Sequence, residues 1–481
     1  MAPFLKLLLG GGAAFISPKA SSWNSATTET IIGGTISTSS YSTSQLLASS
    51  SQTSTTHNQD QQANLAEVIS LLGGSPTNLL RLDSTTEGVR GVYLNENVSK
   101  GDVLLEIPLA SCLRDDGDPP SWLIDQQDTD NKNNNAYSPI QIQGWVTRLA
   151  AQLLQLQSRC EEGDKNKNMV DDENESSLPS EGLRAWLKLL PESLRDSLPI
   201  YWPEEVIKST DCRPLELAVD AAFFARAAPL SDLAASGKSQ AQVERALDLV
   251  QTRACRCATW EETNSDESLL VTGTPAVVPS SRQHSQERTK ADLRVMVPIF
   301  DMINHSYEHN AEFFRKGDYM IVRAKQDLTV DEEVLISYGA SSTTPIWRCL
   351  FSYGFVPSVD DIYEYNVVEI ALDDYYRFEV SPTEIPFELV QYQAKKQGIA
   401  VDNPEDIEFT PEIGKAIVEQ LRDCAKRLEV SQGSRGSMES RIRSTDSMPQ
   451  ETMELINLLK ESHRRTLLAC AGGLQEYLEN E

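Results

Sequence analysis

Polar side chains within two apolar, strand-like stretches constrain the folding of this chain more than any other feature. Residues 297–306 read Val-Pro-Ile-Phe-Asp-Met-Ile-Asn-His-Ser, and residues 333–339 read Glu-Val-Leu-Ile-Ser-Tyr-Gly. A buried Asn, His or Tyr side chain needs hydrogen-bond partners, because an unpaired polar group costs free energy in an apolar surrounding. We therefore expect Asn304, His305 and Tyr338 to belong to a site that uses them.

Length and charge narrow the class of protein. The chain has 481 residues, 40% of them hydrophobic, and a formal net charge of −28. A chain of this length is too long to fold around a single hydrophobic core. It predicts two folded domains with less ordered segments. We expect no nucleic-acid partner, since neutralising phosphates requires clustered Lys and Arg that this chain does not have. The charge fits a basic protein tail as substrate, and it fits equally well an acidic surface that only keeps the protein in solution.

The cysteines and the N-terminal segment bear on compartment. Eight cysteines are scattered along the chain, which favours reduced thiols, and the close pair Cys255 and Cys257 has no second pair at zinc-ligand spacing. No apolar run is long enough to span a bilayer, so no membrane partner is expected. Residues 1–60 combine a short apolar stretch with a Ser/Thr-rich segment, typical of a presequence or of a disordered tail.

Hydrophobic spacing predicts the order of elements. A helix is predicted before Gly73, and a hairpin-like pair of strands from residues 88–94 and 103–108. Further helices are predicted for residues 141–160, 214–255 and 451–479. Further strands are predicted for residues 295–300, 318–323 and 333–338 and within 365–380. Polar composition predicts loops at residues 114–138, 161–177, 261–292 and 431–450.

Together these motifs resemble the SET-domain protein methyltransferases, and within them the branch of the Rubisco large-subunit lysine methyltransferase. The resemblance is carried by Asp301-x-x-Asn304-His305, by Glu333 to Gly339, by Tyr353-Gly-Phe355 and by Thr252-Arg253. Histone-type SET enzymes usually carry a Cys-rich zinc segment after the catalytic Tyr, and this chain has none there. The N-terminal composition is also similar to plastid presequences of algae, which makes the plastid one expected location and the cytoplasm or nucleus the alternative.

The resemblance implies an α+β fold. A β-rich SET domain with a knotted C-terminal crossing is expected over residues 63–360, with a helical insertion at about 140–255. A mainly α-helical substrate-binding domain is expected over residues 361–481. The protein substrate would bind through the SET channel and this helical domain, and we expect a monomer.

The same resemblance implies S-adenosylmethionine as cofactor and a protein lysine as target. A protein histidine is the nearest alternative, and a non-catalytic SET-like interaction module is the other. Tyr338 and Asp301 are the candidate catalytic residues. The candidate cofactor-binding residues are Glu87, Val89, Arg90, Gly91, Arg253, Asn304, His305, Tyr338 and Phe355. Thr252, Ile336 and Tyr353 are expected to line the substrate channel.

Methyl transfer from a sulfonium sets what such a site must contain. It needs alignment and a neutral amine, and a lysine in water has a pKa of about 10.4. A narrow apolar channel beside a sulfonium lowers that pKa through burial and like-charge repulsion. Hydroxyl and carbonyl groups are therefore expected, and no metal.

Each candidate also has a structural alternative. Tyr338, Tyr353 and Phe355 are equally typical of core aromatics, and His305 of a satisfied core histidine. Asp301 also fits a structural cap, and Arg253 a solvent-facing helix end.

Two places depart from the family pattern. Glu87-Gly-Val-Arg-Gly91 is one residue longer than the usual glycine loop, and the segment after Gly339 is also longer. Within that segment, Thr344 before Pro345 predicts a helix N-cap followed by proline at the first helical position.

Overall fold

The structure is a computed structural model of the chain. It describes residues 6–8, 65–84, 90–123, 144–166, 181–257, 293–338, 345–357, 366–372, 376–399, 407–429 and 448–480. Its strands are β1 (Lys6–Leu8), β2 (Leu80–Ser84), β3 (Arg90–Leu94), β4 (Val103–Pro108), β5 (Leu113–Arg114), β6 (Cys255–Arg256), β7 (Arg294–Met296), β8 (Asn304–His305), β9 (Ala311–Lys316), β10 (Tyr319–Ala324), β11 (Leu335–Ile336), β12 (Val368–Ala371), β13 (Arg377–Val380) and β14 (Glu384–Pro386). Its helices are α1 (Leu65–Leu71), α2 (Trp145–Asn166), α3 (Glu181–Leu187), α4 (Glu204–Ser209), α5 (Arg213–Leu233), α6 (Gln240–Arg253), α7 (Ile346–Tyr353), α8 (Phe387–Lys396), α9 (Pro411–Arg427) and α10 (Gln450–Asn480). This mixture of small sheets and helices confirms the predicted α+β class.

The chain divides into two compact units. The larger unit comprises residues 44–207 and 214–355, and the smaller unit comprises residues 1–43, 208–213 and 356–481. Within the described ranges, no helix has both the length and the apolar character that crossing a membrane requires.

Small sheets surround the core of the larger unit. β10 lies between β4 and β9 and is antiparallel to both, β2 pairs with β3, and β7 lies between β5 and β6. Leu105 and Ile107 on β4 and Val322 on β10 are fully buried. Each such side chain contributes roughly 1.5–3 kcal/mol through removal of apolar surface from water.

A parallel strand pair joins the two motif-bearing segments of the larger unit. β8 and β11 run in the same direction, with His305 opposite Ile336. The tight turn Phe300–Met302 precedes β8, and it follows Ile299 at φ 75° and ψ −41°. A positive φ is rare for a β-branched residue and costs about 1–3 kcal/mol, so the surrounding core must hold this turn in place.

Helix α6 leads directly into the same region. Its N-terminus has a capping box, in which the side chain of Ser239 accepts from the backbone N–H of Gln242 and the side chain of Gln242 accepts from the backbone of Ser239. The helix ends at Arg253, and the chain continues into β6, which pairs with β7. The C-terminal end of α6 therefore lies beside the segment that follows β7.

The predicted hairpin between residues 88–94 and 103–108 is wrong. β3 pairs with β2, and β4 pairs with β10 from the second half of the sequence. In both pairs, the buried faces of the strands match, with Leu94 opposite Leu80 and Ile107 opposite Met320. Burial of matching apolar faces decides strand pairing here, and closeness in sequence does not.

Two boundary predictions are wrong by smaller amounts. The predicted loop at residues 161–177 begins as helix, because α2 continues to Asn166. Helix α7 begins at Ile346 with Pro345 at the N-cap position, one residue later than predicted. The predicted cap Thr344 lies outside the described residues.

The smaller unit is mainly helical. β12 pairs antiparallel with β13, and β1 pairs parallel with β14. Helices α9 and α10 pack against each other, and Ile413, Ile417 and Leu421 on one face of α9 are fully buried. This spacing of four residues places one apolar stripe against the core of the unit.

Candidate active site

His305 is held by the backbone that follows β11. The backbone N–H of Tyr338 donates to His305 Nδ1 at 3.1 Å, and Nδ1 lies 3.3 Å from the carbonyl oxygen of Ile336. The amide N–H can only donate and the carbonyl oxygen can only accept, so Nδ1 of a neutral ring can satisfy only one of these two contacts at a time. Burial lowers the pKa of His305 to about 4, so the ring is neutral at physiological pH. Such a weak base suits the positioning of Tyr338 better than proton abstraction.

Tyr338 is fixed by its hydroxyl and by neighbouring rings. Its Oη donates to the carbonyl oxygen of Ile303 at 2.6 Å, and its ring centroid lies 5.3 Å from that of His305 and 5.0 Å from that of Tyr353. Tyr353 Oη in turn donates to the carbonyl oxygen of Tyr338 at 3.1 Å. Burial raises the pKa of Tyr338, so the phenol keeps its proton.

Phe355 completes this aromatic cluster. Its ring centroid lies 5.8 Å from that of His305 and 6.1 Å from that of Tyr338, and its side chain is buried. The positive φ of Gly354 ends α7 and turns the chain toward the cluster.

Asp301 is a fully buried carboxylate with two side-chain partners. Trp186 Nε1 donates to Asp301 Oδ1 at 3.1 Å, and Arg253 Nη1 lies 3.4 Å from Asp301 Oδ2. Arg253 Nη1 also donates to the backbone carbonyl oxygen of Asp301. Burial raises the pKa of Asp301, and the Arg253 charge opposes that rise.

The Arg253 side chain is only 12% exposed, so the solvent-facing alternative for it is wrong. Its guanidinium is not fully paired. Arg253 Nε is buried and has no hydrogen-bond partner. Burying an unpaired donor costs about 1–3 kcal/mol, which indicates a place where a ligand acceptor fits.

One cavity of about 40 Å³ brings most of these side chains together. It joins the catalytic candidates Tyr338 and Asp301 to Arg253 and to the three side chains predicted for the substrate channel. Its lining consists of Thr252, Arg253, Ala254, Cys255, Val297, Phe300, Asp301, Phe313, Ile336, Tyr338 and Tyr353. The walls are largely apolar, and the charged groups lie close together within them.

Asn304 lies outside the lining of this cavity and has its own contacts. Its Nδ2 donates to Glu333 Oε1 at 2.7 Å and to the carbonyl oxygen of Arg90 at 3.0 Å. Arg90 therefore meets Asn304 through its backbone, while its Nη1 donates to the carbonyl oxygen of Leu189 at 2.8 Å. Burial, together with the nearby Arg253 charge, lowers the pKa of Arg90.

Two of the predicted cofactor residues cannot be placed. Glu87 and Val89 lie outside the described residues. Gly91 is described, and a Cβ on it would come within 2.3 Å of Glu333 Oε1. The absence of a side chain at Gly91 thus allows Glu333 to approach the strand.

Sequence reasoning missed Trp186 and Glu333. Trp186 lies on α3, and no residue of this helix was among the candidates from the sequence. Glu333 begins the second motif, yet nothing in its spacing points to Asn304. The available signal was the type of residue, since an indole N–H and a carboxylate both need partners when buried.

The described residues contain no cluster of side chains that could form a metal site. There, no three His, Cys, Asp or Glu side chains are grouped so that they could hold an ion, and all eight cysteines are free.

Several known proteins are similar to this chain. The solved structure of Rubisco LSMT bound to AdoMet is 12% identical, with a TM-score of 0.47, over 87% of this chain and 92% of that one. SET domain-containing protein 8 of Schizosaccharomyces pombe is 32% identical over 80 residues, which are 17% of this chain and 18% of that protein. N-lysine methyltransferase SETD6 of Rattus norvegicus is 22% identical over 309 residues, which are 62% of this chain and 54% of that protein. The chain thus spans at most about half the length of these relatives.

The family model of the SET domain matches residues 89–339. This range contains β3 to β11, the cavity residues up to Tyr338, and both segments of the parallel strand pair. It covers more than half of the 481 residues, and the predicted SET fold is confirmed by it. The chain therefore belongs to the SET-domain family.

Proposed function

We propose that this protein is an S-adenosylmethionine-dependent methyltransferase that acts on lysine side chains of a protein substrate. The observation that supports this most is the cavity that Asp301, Arg253 and Tyr338 share within a SET domain. The relative SETD6, which matches this chain over 309 residues, is named as an N-lysine methyltransferase. This name supports lysine methylation as the activity proposed for this chain.

The residues around Asn304 and Arg253 fit the polar ends of S-adenosylmethionine. The unpaired Nε of Arg253 is a charged donor suited to the cofactor carboxylate. Asn304, with its Nδ2 engaged by Arg90 and Glu333, keeps its oxygen for a donor of the cofactor. When bound, the cofactor supplies a methyl group already activated by the sulfonium charge.

The cavity walls then prepare the amine. Val297, Phe300 and Phe313 form apolar walls, and burial among them lowers the pKa of an entering lysine. The carboxylate of Asp301 would attract the ammonium form of the entering lysine, and the amine becomes a nucleophile once its proton has passed to solvent. Tyr338 is held in place by its hydrogen bond to the carbonyl oxygen of Ile303. Its ring lines the cavity and would align the amine with the methyl group.

Lysine is proposed over histidine as the target because the relative SETD6 is named as an N-lysine methyltransferase. Direct displacement at the methyl carbon uses no metal ion. We further propose that the substrate protein also binds the helical smaller unit, and that one chain is sufficient for activity.

Methyl transfer to proteins of the source cell tests this function. The purified chain is incubated with labelled S-adenosylmethionine and a lysate, and the modified residues are mapped by mass spectrometry. We expect label on lysine, strongly reduced for Tyr338→Phe and unchanged for the matched control Tyr319→Phe, whose exposed ring lies on β10. No label above background would contradict the enzyme assignment, whereas label on histidine would contradict only the choice of target.

A further inference from the structure

We propose that Glu333 is a positioning residue, which orients the carboxamide of Asn304 so that its oxygen accepts a hydrogen bond from the cofactor. The proposal rests on the function proposed above. It assigns Glu333 a role through Asn304 and no direct part in the reaction.

Glu333 lies where three segments of the larger unit meet. Its backbone forms an antiparallel bridge with Tyr93, and the next residue, Val334, donates from its backbone N–H to the carbonyl oxygen of Val92 at 2.8 Å. One residue further, Leu335 is the partner of Asn304 in the parallel pair. The backbone therefore holds Glu333 between β3 and β8.

The side-chain contacts determine the orientation of the Asn304 amide. Its Nδ2 donates to the Glu333 carboxylate at 2.7 Å and to the carbonyl oxygen of Arg90 at 3.0 Å. Both partners are acceptors only, so they require the nitrogen and use both of its hydrogens. Flipping the amide would place its oxygen against two other oxygens. Asn304 Oδ1 is thereby fixed on the opposite side, where it can only accept.

The Glu333 carboxylate is itself held in place. Tyr93 hydrogen-bonds to it, and the missing side chain of Gly91 gives it room, since a Cβ there would lie 2.3 Å from Oε1. Burial raises the pKa of Glu333, and the hydrogen bonds from Asn304 and Tyr93 oppose that rise. Asn304 and Tyr93 thus hold the Glu333 carboxylate in place by hydrogen bonds, and Gly91 leaves the space that it occupies.

This orientation selects the ligand group that Asn304 can bind. An oxygen fixed as an acceptor binds an N–H or O–H donor and rejects another acceptor, because a buried unpaired pair of acceptors is costly. S-adenosylmethionine offers such donors in its ammonium group and in the amino group of its adenine ring.

A double-mutant cycle tests the proposal. Asn304→Asp alone places two carboxylates in contact and should weaken S-adenosylmethionine binding strongly. In the Glu333→Gln background, the new amide can donate to the aspartate, so the same change should weaken binding about tenfold less, a size typical of contacting residues. Calorimetry gives the dissociation constants, and Glu332→Gln, whose side chain contacts Thr329 and Asn310, is the matched control with unchanged affinity.

The same cycle measured by thermal unfolding without ligand reports whether the two side chains are coupled even if one variant binds too weakly. Coupling in both measurements supports the positioning role. Binding by the wild-type chain with additive effects of the two changes would overturn the positioning role and leave the proposed function standing. Absence of binding to the wild-type chain would overturn the proposed function and this inference with it.

Discussion

Tyr338 is restrained at its hydroxyl, its carbonyl and its ring face. The hydroxyl donates to Ile303, the carbonyl accepts from Tyr353, and the ring lies beside His305. A side chain restrained in this way loses little conformational entropy when a substrate binds. It is therefore suited to aligning an amine with a methyl group.

Replacing Tyr338 by Phe should lower turnover far more than cofactor affinity. The ring packing survives, but the hydroxyl that donates to Ile303 is lost. A displacement of the ring by about 1 Å after loss of this hydrogen bond would cost about 100-fold in turnover. Steady-state kinetics and calorimetry measure the two effects separately, and equal turnover of the variant and wild type would remove Tyr338 from the mechanism.

Gly91 is a second position where the site leaves no room for one additional atom, the Cβ of a larger residue. Gly91→Ala places a Cβ within 2.3 Å of Glu333 Oε1, so the carboxylate must move away from Asn304. We expect a loss of about 1–3 kcal/mol of stability from this overlap, with weaker cofactor binding. Gly144→Ala is the control, because nothing lies within 4 Å of its Cβ. Equal melting temperatures and affinities of the two variants would contradict the proposed contact.

The sequence predicted several candidate site residues but not their partners. Asn304, His305 and Tyr338 became candidates because polar groups in an apolar stretch need hydrogen-bond partners. Trp186 could not, because it meets Asp301 across 115 positions of sequence. Spacing along a chain carries no information about such a contact.

Among the elements, α6 links stability to the site most directly. It begins at the capping box of Ser239 and Gln242 and ends at Arg253 in the cavity. Near its C-terminus, Thr252 Oγ1 donates to the carbonyl oxygen of Asp248 at 2.8 Å. The helix thus holds Arg253 at the end of a capped element whose Val243, Leu247 and Val250 are buried.

Ser239→Ala should destabilise the protein while leaving the site intact. The variant loses the acceptor for the Gln242 backbone N–H, which typically costs about 1 kcal/mol. Thermal unfolding measures the loss, and Ser231→Ala at an exposed position inside α5 serves as the control. A melting temperature equal to that of the control would mean that the cap does not stabilise α6.

Helices were predicted better than strands for a physical reason. The spacing of apolar residues in α6 and α10 is set within each helix, so the sequence displays it locally. Strand partners are set by distant segments, as with β4 and β10, and two-residue strands such as β8 and β11 show no periodicity at all. The two segments of the parallel pair were therefore identified by their motif residues, and their pairing was not predicted.

At the scale of the whole molecule, buried histidines make stability depend on pH. His463 on α10 is buried, its Nε2 has no hydrogen-bond partner, and burial lowers its pKa to about 4. The unfolded chain binds a proton at this residue below about pH 6.5, while the folded protein does so only near pH 4. The unfolded state therefore holds more protons in this window, and the free energy of unfolding falls as the pH falls.

His463→Leu should make the protein less sensitive to acid. The substitution removes a buried unpaired nitrogen and a group that favours unfolding between about pH 6.5 and pH 4, an effect on the order of 3 kcal/mol at most. Melting temperatures at pH 7 and pH 5 measure it. We expect a smaller decrease for the variant than for the wild type, and an equal decrease would contradict the assignment.

At the scale of the whole molecule, the proposed function depends on whether the site around Asn304 and Arg253 binds S-adenosylmethionine. Calorimetric titration of the purified full chain with S-adenosylmethionine answers it most directly. We predict saturable binding of one molecule per chain, clearly weakened by Asn304→Ala and by Arg253→Ala. No detectable heat of binding with the folded wild-type chain would contradict the proposed cofactor binding and the proposed function.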